Sequence, residues 1–328
     1  MSLAALRGIP AANSCLIHVR PALLHVAPPA PPPMPPTPPR APCRTRPPGR
    51  YPLTMRPRRP YPSDLSDARW ELIRPTLEAW RHARAGIRRP AHDLRALMNA
   101  VLYVDRTGIP WRYLPHDFPP WQSVYGYFAA WQKDGVLDQL TGMLRGKVRQ
   151  AEGRDAEPSA CVLDSQTVKT SANIPLSHQG IDPAKKIIGR KRHIATDTLG
   201  LMLAVLVTAA DTHDSTAGIR LIDRISEHHP AITKAWADNG YKRKAVEHAA
   251  TRGIDLEIVQ RDPAARGFAV QPRRWVIERT LGWLMHHRRL ARDYETHPHR
   301  SAAMIQLAMI NLMTRRLTRE NTPNWRGT

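Results

Sequence analysis

Three acidic residues in this chain occur where carboxylates could hold divalent cations. Asp164 and Asp238 each follow a short apolar run typical of a buried strand, and Glu278 lies in an arginine-rich segment with helical periodicity. Such carboxylates can converge on one or two Mg²⁺ or Mn²⁺ ions, which prefer oxygen ligands. A pair of ions would activate the attacking oxygen and stabilise the leaving oxygen in phosphodiester chemistry. Taken singly, each residue is more often a turn, cap or ion-pair residue, so only the three together indicate catalysis.

The charge balance indicates a polyanionic partner. The 328 residues include 49 Lys and Arg against 28 Asp and Glu, which gives a net charge of +21 that is spread along the chain. A protein this basic commonly binds nucleic acid. Its three cysteines, Cys15, Cys43 and Cys161, are far apart and predict neither a disulfide framework nor a zinc site. With no run of about 20 apolar residues and no signal peptide, we expect no membrane segment and a cytoplasmic location.

The composition divides the chain into three segments. Residues 1–58 are dominated by proline, which removes backbone donors and fixes φ, so we expect them to be disordered. They are either a docking tail or an extension upstream of a true start at Met55, and we favour the extension. Residues 59–150 have helical periodicity, and residues 158–320 alternate between strand and helix patterns.

Residues 59–150 are expected to form a small all-helical domain. Four amphipathic helices are indicated, the first capped by Ser63 or Ser66 and the second ending at Gly108. Such units resemble helix-turn-helix DNA readers. We expect the tryptophans to lie in the core and the polar residues between them to contact DNA. These polar residues are Arg112, Gln122, Ser123, Tyr125, Gln132 and Lys133.

Residues 158–320 are expected to form an α/β domain. The predicted strands are 160–163, 192–198, 201–209, 234–237 and 256–259. The predicted helices are 215–228, 245–252, 275–292 and 301–317. Three strands followed by alternating helices and strands is the order of a ribonuclease-H-like fold, a mixed sheet with flanking helices. Two roles are open for His213 and Asp214, assistance to the acidic residues and the start of the first of these helices, and we favour the helix start.

Two basic clusters accompany the acidic residues. The first consists of Lys185, Lys186, Arg190, Lys191 and Arg192. The second surrounds Glu278 and consists of Arg273, Arg274, Arg279, Arg288, Arg289 and Arg292. A charge run is often only a solvated face. Beside a phosphodiester site, however, contact with phosphates is about as good an explanation, and we expect both clusters to contact DNA.

Several motifs together resemble one known family. In the helical part they are the segments 61–70, 108–115 and 118–125, and in the second part 164–169, 189–193, 237–241 and 274–280. Across roughly residues 60–318 the chain resembles bacterial insertion-sequence transposases of the DDE type, in the insertion-sequence-five (IS4/IS5-like) family. The family often has a tyrosine and a lysine flanking the glutamate, where this chain has Gln271 and Met285.

The resemblance implies an enzyme that acts on double-stranded DNA. Asp164, Asp238 and Glu278 would be its catalytic and metal-binding residues, and Mg²⁺ or Mn²⁺, as two ions, its cofactor. It would cleave at terminal inverted repeats and join the released 3′-hydroxyl to target DNA, as a homodimer associated with the bacterial nucleoid. No small-molecule substrate is implied. Two alternatives are open: an inactive or domesticated DNA-binding protein, and a stand-alone nuclease of the same fold.

Overall fold

Four helices precede the sheet in the computed structural model, which describes residues 58–84, 92–260 and 273–322. The first 57 residues of the proline-rich segment thus lie outside the described residues. The helices are α1 (Asp67–Ala83), α2 (Leu94–Thr107), α3 (Trp121–Lys133) and α4 (Val136–Ala151). Ser66 caps α1 by accepting the backbone N–H of Arg69, and Gly108 ends α2 with a φ of 77°, a conformation that glycine adopts without strain. Both ends agree with the sequence prediction.

One mixed sheet contains the six strands of the described residues. They are β1 (Ala160–Lys169), β2 (Gly180–Asp182), β3 (Ile187–Asp197), β4 (Met202–Ala209), β5 (Lys234–Ala237) and β6 (Asp255–Ile258). The spatial order is β4-β3-β1-β5-β6, and β2 pairs with the start of β3 on the β4 side. β3 is antiparallel to β1 and β4, whereas β5 is parallel to β1 and β6. The predicted ribonuclease-H-like architecture is confirmed.

The remaining helices cover both faces of this sheet. They are α5 (Asp214–His228), α6 (Lys244–Thr251), α7 (Trp275–Leu284) and α8 (Pro298–Thr318). Alternate strand residues point to opposite faces. Accordingly, Val162 and Ile194 pack with α7, α8 and the four preceding helices, while Leu163 and Ala195 pack with α5 and α6. No helix of the described residues is long and apolar enough to cross a membrane.

Helix α8 joins the helical segment to the sheet. It is buried along nearly its whole length because it packs against α1, α2, α3 and α4 and also against β4. The described residues, from 58 onward, accordingly form one compact unit. Within that unit the change from helices to strands falls between α4 and β1, and the division into domains at 59–150 and 158–320 stays a prediction.

Two elements differ in length from the prediction in ways that affect the site. β1 continues to Lys169, so Asp164 lies in the middle of a strand rather than at its end. α7 ends at Leu284, although helical periodicity continues to residue 292. The chain turns there because His287 is drawn into the core, where its Nδ1 lies 2.5 Å from Oδ2 of the fully buried Asp105 in α2. A tertiary contact therefore overrides the local helical preference.

Candidate active site

Parallel pairing of β1 and β5 brings the first two acidic residues together. The register pairs Val162 with Trp236, so two residues further along it places Asp164 beside Asp238. Asp164 is buried within the sheet, and Asp238 follows the last residue of β5. Asp238 is fixed there because its Oδ1 accepts the backbone N–H of Gly240 at 2.9 Å.

The third acidic residue is linked to the first through an arginine. Arg274 Nη2 lies 3.5 Å from Asp164 Oδ2 and 3.8 Å from Glu278 Oε1, one helical turn further along α7. The guanidinium group therefore lies between two of the three carboxylates. The structure thus brings Asp164, Asp238 and Glu278 to one end of the β1–β5 pair.

The turn between β3 and β4 holds α7 in place. Thr280 Oγ1 donates to the carbonyl oxygen of Gly200 at 2.8 Å, and Arg279 Nη2 donates to that of Leu199 at 3.0 Å. Gly200 has a φ of 82°, and a Cβ at this position would lie 2.6 Å from Thr280 Oγ1. Glycine is therefore required where the hairpin meets the helix that carries Glu278.

Burial has the largest effect on the electrostatics of the site. Burial raises the pKa of Asp164 to about 6, and Asp238 and Glu278 raise it further, while Arg274 acts in the opposite direction. Burial, together with the charges of Asp164, Asp214 and Asp238, also raises the pKa of Tyr241 well above its ordinary value. This phenol therefore stays neutral and is not an activated nucleophile.

The chemistry of the donor groups suits a hard divalent cation. The site offers three carboxylates, and its raised carboxyl pKa is the shift that a bound cation would reverse. Among the described residues, no three acidic, histidine or cysteine side chains already stand close enough to hold a metal ion. Because Arg274 now contacts both Asp164 and Glu278, a cation shared by those two carboxylates would replace its contacts.

Some of the predicted DNA-contacting residues are on the surface. Arg279 is partly buried, stacked between the rings of Trp275 and Trp283 at 4.4 and 4.5 Å from their centroids. Arg274 lies within the acidic site, as described above. The exposed candidates are Arg112, Gln122, Lys133, Lys185, Lys186, Arg273, Arg288 and Arg292, whereas Ser123, Tyr125 and Gln132 are partly buried.

Four of the predicted DNA contacts are corrected by the structure. Arg190 is fully buried, pairs with Asp293 at 3.2 Å and donates to the carbonyl oxygens of His178, Glu295 and Thr296. The other three, whose charged groups are likewise bonded inside the protein, are Arg192 (to Leu290 O), Arg289 (to Glu295) and Lys191 (to Thr212 O and Asp214).

Strand geometry explains the burial of this basic run. Successive residues of β3 point to opposite faces of the sheet. Arg190 and Arg192 therefore both reach the connection between α7 and α8, where they bind main-chain carbonyl groups. Burial lowers the pKa of Arg192 to about 10, which still leaves it charged near neutral pH. These two arginines hold the α7–α8 connection on the sheet rather than facing DNA.

One carboxylate beside the site had been assigned to a helix start in preference to a role in the site. Asp214 was expected to begin a helix, and it does lie in the first turn of α5, but its side chain also faces Gly240 and Asp238. The pattern His213-Asp214 marks the start of the helix. Nothing in it reveals that α5 begins beside the end of β5.

A cavity of about 860 Å³ lies between α4, β4, α5 and the start of α8, away from Asp164, Asp238 and Glu278. Arg145 of α4 donates to the carbonyl oxygen of Met202 at 3.2 Å, and Arg224 of α5 donates to that of Val205 at 2.8 Å. Arginines from two helices thus bind main-chain oxygens of β4, a strand that borders the sheet. The cavity is a groove along this strand, and none of the three candidate carboxylates lines it.

Comparisons with known proteins cover most of the described residues. Residues 65–141 match a family model described as a putative transposase of the IS4/5 family, and residues 155–313 match the transposase DDE domain. The second match contains all three carboxylates. No solved structure matches the chain.

Three curated relatives are similar over about a third of the chain. A putative transposase for insertion sequence element IS402 from Burkholderia cepacia is 35% identical over 127 residues, which are 36% of this chain and 60% of the relative. An IS402 protein of 16.2 kDa from the same organism is 32% identical over 110 residues, 32% of this chain and 72% of the relative. The protein y4sN of Sinorhizobium fredii is 29% identical over 105 residues, which are 32% of this chain and 75% of the relative. With its two domain matches and these relatives, the chain belongs to the DDE transposases of the IS4/5 family.

Proposed function

We propose that this chain binds the terminal inverted repeats of an insertion sequence and catalyses metal-dependent cleavage and transfer of DNA strands. The observation that carries the proposal is the β1–β5 register, which places Asp164 beside Asp238. Glu278 joins them through Arg274, on a helix fixed to the same sheet. The family match supplies the reaction class, and the excess of basic residues suits a DNA partner.

In this proposal the three carboxylates would together hold two cations. Asp164 and Asp238 would hold one Mg²⁺ or Mn²⁺ ion, and Glu278 would help to hold a second. When bound, the ions supply Lewis-acid stabilisation of charge on the reacting phosphate. When no cation is bound, Arg274 balances the charge of the carboxylates. When cations take its place, its guanidinium group is free to contact a DNA phosphate. No covalent protein–DNA bond is needed, which agrees with a neutral, buried Tyr241.

The exposed polar residues would hold the duplex. Lys185 and Lys186 are in the turn between β2 and β3, and Arg112, Gln122 and Lys133 belong to the helical segment. Long basic side chains at exposed positions contact phosphates and fix the position of the duplex. We propose that the protein acts as a homodimer, in which each subunit binds one end of the insertion sequence, because strand transfer requires both ends at one target. Binding of this kind would associate the protein with the bacterial nucleoid.

The test is strand cleavage with a matched pair of variants. DNA flanking the gene, labelled at its ends, is incubated with purified protein and Mg²⁺. The proteins compared are wild type, Glu278→Gln and the control Glu227→Gln, an exposed glutamate of α5. We expect wild type and Glu227→Gln to nick at a pair of inverted repeats. Glu278→Gln should bind the same DNA without nicking it, and EDTA should abolish nicking by wild type and by Glu227→Gln.

Other outcomes would identify the alternatives. Specific binding of the repeats without cleavage by wild type would show an inactive DNA-binding protein. Cleavage of branched or hybrid substrates without preference for element ends would show a stand-alone nuclease. Equal cleavage by wild type and Glu278→Gln would refute the catalytic assignment itself.

A further inference from the structure

A fourth carboxylate, that of Asp214, faces the acidic site from the first turn of α5. A Cβ built on Gly240 would lie 3.0 Å from Asp214 Oδ2 and 3.0 Å from Asp238 Oδ1. Two oxygens that are each this close to one point lie within about 6 Å of each other. Only a residue without a side chain separates them. Two like charges at this distance, in a partly buried setting, favour a cation between them.

The other oxygen of Asp214 lies near two side chains of β3. Oδ1 lies 3.3 Å from Lys191 Nζ and 3.7 Å from Nδ1 of the fully buried His193. Neither His193 Nδ1 nor Asp214 Oδ1 makes a hydrogen bond, so Lys191 is the charged partner of this oxygen. His193 Nε2 is taken by Thr208 Oγ1 at 3.1 Å. Asp214 is therefore held with Oδ1 towards β3 and Oδ2 towards Asp238.

Capping of α5 does not account for this arrangement. The cap of the helix is His213, whose Nδ1 accepts the backbone N–H of Ser215 at 3.3 Å. A capping aspartate would use its own oxygen for such a bond. Asp214 instead directs its two oxygens at the β3 side chains and at Gly240, away from the helix it begins.

We propose that Asp214 is a fourth carboxylate of the active site and that, with Asp238, it binds a hydrated divalent cation. A separation of up to about 6 Å suits a cation that keeps several of its waters, as Mg²⁺ does. Lys191 would balance part of the charge of Asp214 when no cation is bound. This role rests on the proposed function, because it assigns Asp214 to the same metal-dependent site.

The test measures Mn²⁺ binding by the full chain in the absence of DNA. Free Mn²⁺ is counted by electron paramagnetic resonance during titration of wild type, Asp214→Asn and Asp223→Asn. Asp223 is the matched control, since it lies on the same helix and pairs with His248 and Arg252. We expect Asp214→Asn to weaken Mn²⁺ binding by about 10- to 100-fold and Asp223→Asn to leave it unchanged. Circular dichroism checks that each variant is folded.

A second variant removes no charge at all. Gly240→Ala would place a methyl group 3.0 Å from an oxygen of each carboxylate and so push the two apart, and the backbone at this position is outside the left-handed region, so it adds no strain of its own. We expect it to weaken Mn²⁺ binding as well. Wild-type Mn²⁺ affinity in both Asp214→Asn and Gly240→Ala would refute the role of Asp214. The Mn²⁺ titration and the cleavage assay test the two proposals separately. If Asp214 proves not to bind Mn²⁺ but Glu278→Gln still abolishes nicking, the proposed function stands. If the wild type binds Mn²⁺ through Asp214 but does not nick DNA, only the proposed function is refuted.

Discussion

Arg190 and Lys186 belong to one basic run of sequence, yet we expect opposite results when each is replaced. Arg190→Met removes the ion-pair partner of Asp293, whose side chain is 1% exposed, and takes one donor away from each of three carbonyl groups. Breaking a buried ion pair from one side destabilises a protein by about 3–5 kcal/mol. For a unit of this size, each kcal/mol lowers Tm by roughly 2–4 °C, so Arg190→Met should lower Tm by roughly 6–20 °C.

The exposed lysines should behave in the reverse way. Lys185 and Lys186 are on the surface, where substitutions change stability by no more than about 0.5 kcal/mol. If both contact phosphates, the double variant Lys185→Met/Lys186→Met should lower the slope of log affinity against log salt by about 2. The folded fraction of Arg190→Met should keep the wild-type slope, because the guanidinium group of Arg190 in the wild type is buried and does not face DNA.

Two measurements separate these expectations. Thermal unfolding reports the stability of each variant, and fluorescence anisotropy with labelled duplex DNA over a series of salt concentrations reports the slope. Arg190→Met at the wild-type Tm but with a reduced slope would refute the reasoning, since it would mean that this arginine turns outwards to bind phosphate. An unchanged slope for the double lysine variant would remove those lysines from the proposed DNA surface.

Three further predictions concern the site and the core. Burial raises the folded-state pKa of Asp164 from 3.8 to about 6, so the wild type loses stability as pH rises through this window. Asp164→Asn should therefore abolish cleavage yet exceed the wild type in free energy of unfolding near pH 8 by about 1–3 kcal/mol, and an equal Tm there would contradict this. Gly200→Ala should lower the free energy of unfolding, measured in urea, by more than Gly253→Ala, because both glycines have positive φ but only Gly200 would clash with Thr280. Burial raises the pKa of the Cys161 thiol to about 12, so mass spectrometry should find it alkylated by iodoacetamide only after denaturation, and rapid labelling of the native protein would contradict this.

Local signals in the sequence were sufficient for the order of the elements, apart from the short strand β2, and for many of their ends. The caps at Ser66 and Gly108 and the bounds of β5 agree with prediction, because each depends on residues within one or two turns of the chain. Likewise, the pairing of β1 with β5 follows from the strand order of the fold, and it accounts for the meeting of Asp164 and Asp238.

Contacts between distant segments decided what the sequence pattern could not show. Arg190 and Lys186 look alike in sequence, but the α7–α8 connection, about 100 residues later, covers only the former. β1 continues beyond Asp164 through polar residues because β3 pairs with it as far as Lys169. The proximity of Asp214 to Asp238 depends on where α5 begins relative to β5, and no spacing in the sequence reports that.

The burial of α8 has a consequence for where a DNA end is cut. One helix packs against α1 to α4 on one side and β4 on the other, within a single compact unit. A surface on the helical segment therefore cannot swivel freely relative to the carboxylates. If the helices bind the repeat, the distance from the bound sequence to the carboxylates is fixed by the protein. The nick should then fall a constant number of base pairs from the bound sequence.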